Sequence, residues 1–342
     1  MMQKVLLKHA PNIDSAALFR QLPSNDLFDK NITFTTDSSS SYDWLVVLHH
    51  SAIQKILNVK IPKSRCVYVS MEPSESLCSI SSEFINQFGT VIGSDNKIVH
   101  DNLVKLNVHN WWVGLEVQLS SGGHSIKYNG FADYDYYSRD TEFKKINKVS
   151  VINSSKIIFP GHKDREKLIE CLSNSSISSS LDIYGRNFKT LQDKTEAIQP
   201  YMYHLVIENM YESDYWSEKL ADAFLLNSMP IYYGCPNIVE YFPSDSLIHV
   251  DKLDPSYIEK VVADAINSNQ FKQSATARLT AKNLILNKYN IFNILSDICQ
   301  RGEDVSGECL IMPNTYFSKG RLYYYAKSIF KNLFYRANVD GA

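Results

Sequence analysis

Tyr203-His-Leu-Val-Ile-Glu-Asn209, a loop to Tyr215, Trp216-Ser-Glu-Lys219 opening a helical stretch, and Pro230-Ile-Tyr-Tyr-Gly234 decide how this chain folds. Tyr203 to Ile207 is short, apolar and β-branched, Ser217 to Asn227 carries apolar residues at helical spacing, and Pro230 to Tyr233 is again strand-like. Strand, helix and strand in that order make a βαβ unit and a parallel sheet. Glu208 and Asn209 then stand at the carboxyl end of a buried strand, where parallel sheets receive ligands. Ser217 is a good helix N-cap, and unpaired N–H groups at a helix start beside Lys219 suit an anionic phosphate. Glu218 adds nothing to phosphate binding and suits a ribose or sugar hydroxyl. Each residue alone also has a plainer reading: Glu218 and Lys219 as solvated first-turn charges, Asn209 as a turn former, Gly234 as a bend.

The same alternation extends outward. Upstream lie a strand at Lys148 to Ile152, a helix at Arg165 to Leu172, a serine-rich connector over 173–180 and a strand at Leu181 to Tyr184. Beyond Asp254 the apolar spacing becomes helical, through Tyr257 to Ile266 and Ala277 to Ile298. In the first half, Lys4 to His9, Ile32 to Thr36, Trp44 to Leu48 and Cys66 to Ser70 read as strands, while Ser15 to Arg20 and Ser51 to Leu57 carry helical spacing. Tyr42 to His50 is nearly continuous in apolar residues, as in a strand covered on both faces. From Trp111 to Asp140 periodicity is lost in Gly, Tyr and Asp, and a charged stretch follows to Lys148, which marks a domain boundary. The expectation is an α/β protein of two Rossmann-like domains facing each other across a cleft, 1–147 and 148–314, with a helical C-terminal segment and a basic, aromatic tail over 315–342.

Composition narrows the function. With 342 residues, 44% hydrophobic and 21% charged, and 35 Lys+Arg against 37 Asp+Glu, the chain is globular, and nucleic-acid binding driven by global positive charge is excluded. No apolar run reaches the ~20 residues that span a bilayer, and Val5-Leu6-Leu7 is too brief for a secretory leader. A cytoplasmic location is expected. Cys66, Cys78, Cys171, Cys235, Cys299 and Cys309 show no C-x-x-C and no metal spacing, so reduced, mostly buried thiols are expected.

Several segments together resemble the α1,3/4-fucosyltransferases of glycosyltransferase family 10. Glu208-Asn-x5-Tyr215-Trp-Ser-Glu-Lys219, Pro230-Ile-Tyr-Tyr-Gly-Cys-Pro236 and Phe242-Pro-Ser-Asp-Ser-Leu-Ile-His-Val-Asp251 are similar to that family's donor-binding series. Leu181-Asp-Ile-Tyr-Gly-Arg186, Cys66-Val-Tyr-Val-Ser-Met-Glu-Pro-Ser74 and Asp43-Trp-Leu-Val-Val-Leu-His-His50 resemble further family segments in the same order, so the likeness runs from about residue 43 to 251. Ser217 stands where the family usually has Thr, and Met210-Tyr-Glu-Ser-Asp214 has a sequence of its own.

The resemblance implies an inverting GT-B transferase, bacterial in type, that moves L-fucose from GDP-fucose to a hydroxyl, O3 or O4 of a GlcNAc-type residue. Arg186 and Lys219 would neutralise the diphosphate, Asn209, Tyr215 and Glu218 would contact the donor, and Glu72 would be the general base. No further cofactor is implied, and no essential divalent metal. The acceptor would be an oligosaccharide or lipid-linked glycan of lipopolysaccharide or capsule synthesis. A related donor such as GDP-colitose, or a GDP- or carbohydrate-binding module without turnover, are the alternative readings.

The chemistry agrees with these positions. Inversion in one displacement needs a carboxylate to take the acceptor proton and cations to hold the departing diphosphate. Glu72 lies just past the strand Cys66 to Ser70; its plainer role is to cap a helix through Ser74 or Ser76. His49 and His50 follow a buried strand and suit either the acceptor side or a satisfied strand end. Asp133-Tyr-Asp135 has the D-x-D form of a metal site, but in a short, unspecific tyrosine-rich context. Lys319 to Ala337 holds five basic residues and no acidic one, with Leu322, Ala326, Ile329 and Leu333 on one helical face. An anionic lipid surface, giving a peripheral membrane contact through 319–337, and the protein's own domains both suit that face.

Overall fold

Trp44–Leu48, all five of whose residues are buried, is the strand the sequence marks as covered on both faces. The computed structural model describes residues 2–23, 31–71, 80–120, 123–139, 143–153, 160–185, 187–300 and 306–318. The chain divides into two units. One comprises Met1–Pro11, Ile32–Lys105 and Cys299–Ala342, the other Asn12–Asn31 and Leu106–Ile298.

In the first unit the strands are Gln3–Lys8 (β1), Ile32–Thr35 (β2), Trp44–Leu48 (β3), Leu57–Val59 (β4), Cys66–Val69 (β5), Thr90–Ile92 (β6) and Leu103–Val104 (β7). A parallel six-stranded sheet runs β2-β1-β3-β5-β6-β7. Leu6, Leu45, Val47, Tyr68 and Val91 alternate onto one face and pack with Phe84 and Phe88. The strand order reverses between β1 and β3, and β3 ends there at His49 and His50. Ser51 to Leu57 is not a helix: a 3-10 turn, His50–Ala52, leads to β4. The apolar spacing of Ile53 and Leu57 serves one buried side chain and one strand start.

The second unit carries Leu115–Ser120 (β8), Gly123–Tyr128 (β9), Ile146–Asn153 (β10), Leu181–Gly185 (β11), Tyr201–Ile207 (β12), Met229–Tyr233 (β13) and Ile248–His249 (β14). Its five-stranded sheet, β11-β10-β12-β13-β14, is parallel throughout. Tyr203, Leu205, Ile207 and Ile231 face the helices Pro160–Ser173 and Pro255–Asn267 through Leu168, Ile169, Leu172, Ile258 and Val262. Val206 and Tyr232 face the other way, onto Leu220 and Phe224 of the helix Glu218–Leu225 and onto Ala281 and Ile285 of the helical segments Ala275–Asn283 and Leu284–Lys288. Both faces are thus covered, which is the doubly wound α/β arrangement.

Residues 106–147, expected in the first domain, lie in the second unit. Side chains of that unit hold their backbone: Asp222 Oδ1 accepts the N–H groups of Trp112 (2.9 Å) and Val113 (3.2 Å), and Asp193 Oδ1 accepts that of Gly114 (2.9 Å). Residues 12–31 join them, since Arg20 donates to the carbonyls of Trp111 and Ala132 (2.5 and 2.6 Å) and Asp14 N–H to Ile126 O (3.0 Å). Part of the aperiodic stretch is ordered as the β8–β9 hairpin and the helix Tyr134–Ser138. The remaining short strand, Cys309–Ile311 (β15), pairs antiparallel with β4 in the first unit. The tail over 319–342 lies outside the described residues. Cys66, Cys235 and Cys299 are buried thiols, whereas Cys309 is partly exposed and Cys171 exposed; Cys78 is outside the description. Among the described residues no helix is long and apolar enough to cross a membrane.

Candidate functional site

The sheet order of the second unit reverses between β10 and β12, and Glu208 is the first residue past β12 at that point. Its N–H extends the ladder to Tyr233 O at 2.9 Å, and its side chain is 1% exposed. Such a carboxylate needs partners. Oε1 accepts the Ser217 N–H at 2.8 Å, while Oε2 accepts the Ser217 hydroxyl at 2.6 Å and Lys219 Nζ at 3.2 Å. Gly234 is required beside it: a Cβ there would stand 2.5 Å from Glu208 Cγ and 2.6 Å from the Tyr232 hydroxyl.

The loop between Glu208 and Ser217 is fixed at Asp214, whose φ of +66° is left-handed. Its amide N–H donates to Asn237 Oδ1 (2.9 Å), its Oδ1 accepts from Asn237 Nδ2 (2.7 Å) and the Tyr241 hydroxyl (2.8 Å), and its carbonyl accepts from Asn107 Nδ2 (2.6 Å). His109 Nε2 donates to Trp216 O at 2.5 Å. Ser217 caps the helix Glu218–Leu225, so the helix starts one residue past the cap expected from sequence.

Charge is concentrated in the first turn of that helix. Glu218 Oε1 stands 3.6 Å from Lys219 Nζ and 3.7 Å from Lys194 Nζ, and Lys194 also reaches Asp222 Oδ2 at 3.1 Å. Burial pushes the Glu218 carboxyl up, but Lys219, Lys194 and His109 outweigh it and hold it at about 2. For Lys219, burial acts downward and is overcome by Glu218 and Glu208, which raise the ammonium above its ordinary value. Burial lowers the His109 imidazole, against the pull of Glu218 and Glu208. Lys194 also lies over the Trp112 ring, 5.6 Å from its centroid.

Arg165, on the helix Pro160–Ser173, is 4% exposed, and its Nε and Nη2 have no hydrogen-bond partner. Burial lowers its pKa while Glu208 and Glu166 oppose the shift. A buried guanidinium with idle donors near a carboxylate and an ammonium is costly unless an anion completes it. Lys219 and Arg165 therefore supply two positive groups beside the ends of parallel strands, which suits an anionic group.

Of the residues expected from sequence, Glu218 and Lys219 come together with Glu208 and Ser217. Asn209 follows Glu208 and is partly buried, and Tyr215 is 5% exposed, packed inward. Glu72 and Arg186 lie outside the described residues. In the first unit, His49 has φ +69°, its N–H donates to Val69 O at 3.0 Å, and its Nδ1 meets Ser51 Oγ at 2.7 Å. Its ring lies 4.0 Å from that of His50. A non-glycine residue held at that φ at a strand end is strain of the kind found at binding sites. Asp133 caps the helix Tyr134–Ser138 through the Tyr136 N–H (2.8 Å). Among the described residues no cluster of three or more His, Cys, Asp or Glu side chains could hold a metal ion.

Arg165, Lys194, Asp222 and His109 were not anticipated as site residues. Arg165 had a legible signal, since it shares the helical face of Leu168, Ile169 and Leu172, where a cation is out of place. Lys194 and His109 are brought in from distant, irregular stretches and had none.

Residues 144–273 match the sequence profile of Glycosyltransferase family 10 (fucosyltransferase) C-term. That span contains β10 to β14, Arg165 and the Glu208–Lys219 cluster. More particularly, a putative fucosyltransferase-like protein of Arabidopsis thaliana is 36% identical over 94 residues, covering 26% of this chain and 18% of the plant protein. The 4-galactosyl-N-acetylglucosaminide 3-alpha-L-fucosyltransferase 9 of Rattus norvegicus is 28% identical over 153 residues, 39% of this chain and 43% of its own. The chain spans less than half the length of either curated relative. Among solved structures, an alpha1,3-fucosyltransferase with GDP superposes with a TM-score of 0.48 at 15% identity, covering 88% of this chain and 91% of that one.

Proposed function

We propose that this chain is a GDP-sugar-dependent glycosyltransferase of GT-B type that moves L-fucose from GDP-fucose to a hydroxyl of a glycan, with inversion. The observation that carries the reading is Lys219, locked on Glu208 beside the reversal point of a parallel sheet, together with the buried Arg165, whose Nε and Nη2 have no hydrogen-bond partner among the described residues. The profile match over the same residues supports it. In this reading Lys219 and Arg165, with Arg186 as the resemblance implies, hold the diphosphate as the anomeric bond breaks. Glu218, ionised and turned between two lysines, accepts hydrogen bonds from donor hydroxyls, with Asn209 beside it.

Glu72 takes the acceptor proton, and His49 and His50 orient the acceptor. We assign the acceptor to a GlcNAc-type residue of a lipid-linked or capsular glycan assembled on the cytoplasmic side of a membrane in a bacterium. The basic, aromatic sequence over 319–337 supports that placement.

The test is GDP release from GDP-fucose in EDTA-containing buffer, with N-acetyllactosamine and lacto-N-biose as acceptors, for wild type, Glu72→Gln and Lys219→Ala. Acceptor-dependent release that survives EDTA, collapses in Glu72→Gln with GDP still bound, and fails through lost GDP binding in Lys219→Ala is expected. Release undiminished in Glu72→Gln overturns the base. Tight GDP binding without release from either GDP-fucose or GDP-colitose overturns the transferase in favour of a binding module.

A further inference from the structure

We propose that Cys66 and Cys309 are a redox pair that closes into a disulfide, stapling the C-terminal strand of the first unit to the start of β5. Their Sγ atoms stand 3.7 Å apart although 243 positions separate them in the chain. Bond formation needs a separation of about 2.05 Å, so the two sulfurs must draw together. The two sulfurs differ in access. Cys66 is fully buried and its thiol also points to Pro62 O at 3.7 Å, whereas Cys309 is partly exposed at the first position of β15. An oxidant from solution therefore meets Cys309 first.

With a low-molecular-weight disulfide such as oxidised glutathione the steps balance. The Cys309 thiolate attacks one glutathione sulfur, forming a mixed disulfide and releasing one glutathione thiolate. Cys66 then loses its proton, its sulfur attacks the Cys309 sulfur, and the second glutathione leaves as thiolate. Two protein thiols are oxidised, and one glutathione disulfide is reduced to two thiols. Burial pushes the Cys66 thiol up, so the second step, which needs its thiolate, speeds as pH rises.

The staple has a mechanical purpose. β15 is three residues long and, among the described residues, pairs with the three-residue β4, at Cys309–Val59, Leu310–Asn58 and Ile311–Leu57. Beyond it, contacts that hold the chain include Met312 N–H to Gln87 Oε1 (2.7 Å), Gln87 Nε2 to Met312 O (3.0 Å) and Ser81 N–H to Asn314 Oδ1 (2.9 Å). A covalent link at Cys309 fixes this strap to β5, and it closes a very long loop, which restricts the unfolded chain most.

The experiment uses the purified full chain incubated with oxidised glutathione, alkylated under denaturing conditions, digested and read by mass spectrometry without reduction. A peptide pair joined through Cys66 and Cys309 is expected, together with a rise in thermal midpoint of about 5 °C that dithiothreitol reverses. Cys309→Ser, which changes a partly exposed site and leaves the fold intact, should lose both the crosslink and the rise. Cys309 recovered only as a glutathione adduct, or joined to Cys171, with Cys66 fully alkylated, overturns the proposal. So does a thermal shift of equal size in Cys309→Ser.

Discussion

Glu208 and Ser217 hold each other through both carboxylate oxygens, one taking the Ser217 N–H at 2.8 Å and the other its hydroxyl at 2.6 Å. The strand end and the helix cap are thereby one rigid piece, and Lys219 is aimed by the same oxygen that receives the hydroxyl. Ser217→Ala removes the cap and leaves Glu208 a partner short, so a loss of about 2 kcal/mol in unfolding free energy by urea titration is expected. A loss below about 0.5 kcal/mol would mean the pair is incidental.

Gly234→Ala tests the same piece from the other side. Its methyl would overlap Glu208 Cγ and the Tyr232 hydroxyl, so Glu208 must move off Ser217. We expect destabilisation of about 2 kcal/mol and a weakened hold on GDP, read by calorimetric titration. Wild-type GDP affinity in this variant would show that the Glu208 position does not matter to the nucleotide.

Arg165→Met keeps the apolar stem and removes a guanidinium that has idle donors in the structure. Folding stability should be retained or improved, because a buried guanidinium with unmet donors is lost. GDP affinity should fall about thirtyfold, the equivalent of about 2 kcal/mol for a charge-assisted contact. Stability and nucleotide affinity falling together would instead mark Arg165 as a structural residue.

His204 gives a pH dependence whose sign is fixed. It is buried on β12 with Nδ1 2.8 Å from Ser150 Oγ, and burial, helped by Lys194 and Lys145, lowers it from 6.5 to about 3. The unfolded chain takes up a proton below about pH 6.5 and the folded chain does not until near 3. Stability from this residue is therefore complete above pH 6.5 and lost as pH falls through that window, by up to about 1.4 kcal/mol per pH unit. His204→Gln should flatten the slope between pH 6.5 and 4 in chemical denaturation; an unchanged slope would assign it to other groups.

Where local pattern and tertiary demand coincide, the sequence was sufficient. Tyr203 to Ile207 and Trp44 to Leu48 are strands because their runs are buried on both faces, Leu181 to Tyr184 because Leu181 and Ile183 alternate inward at a sheet edge, and Ser217 is a cap because a hydroxyl there has an orphan N–H to receive. Ser51 to Leu57 misled because two apolar residues at helical spacing also fit a turn followed by a strand. The boundary near 147 misled for a different reason. Composition changes at Trp111, but the side chains that own that stretch, Asp193 and Asp222, lie far along the chain. Glu218 and Lys219 were visible because they are contiguous with a strong pattern, whereas Lys194 and His109 arrive at the site only through folding.

The interleaving of the two units bears on how the protein is made. Residues 12–31 emerge early yet have their partners at Trp111, Ile126 and Ala132, and β4 waits for β15 until residue 311 has been synthesised. A nascent chain released from the ribosome at any earlier point leaves one sheet without its last strand and, before about residue 298, the other unit incomplete as well. Such long-range closure slows folding and exposes unpaired edges in the interval. Expression of residues 148–314 alone is expected to yield insoluble material, since it strands the Asp222 carboxylate without the backbone it was shaped to hold.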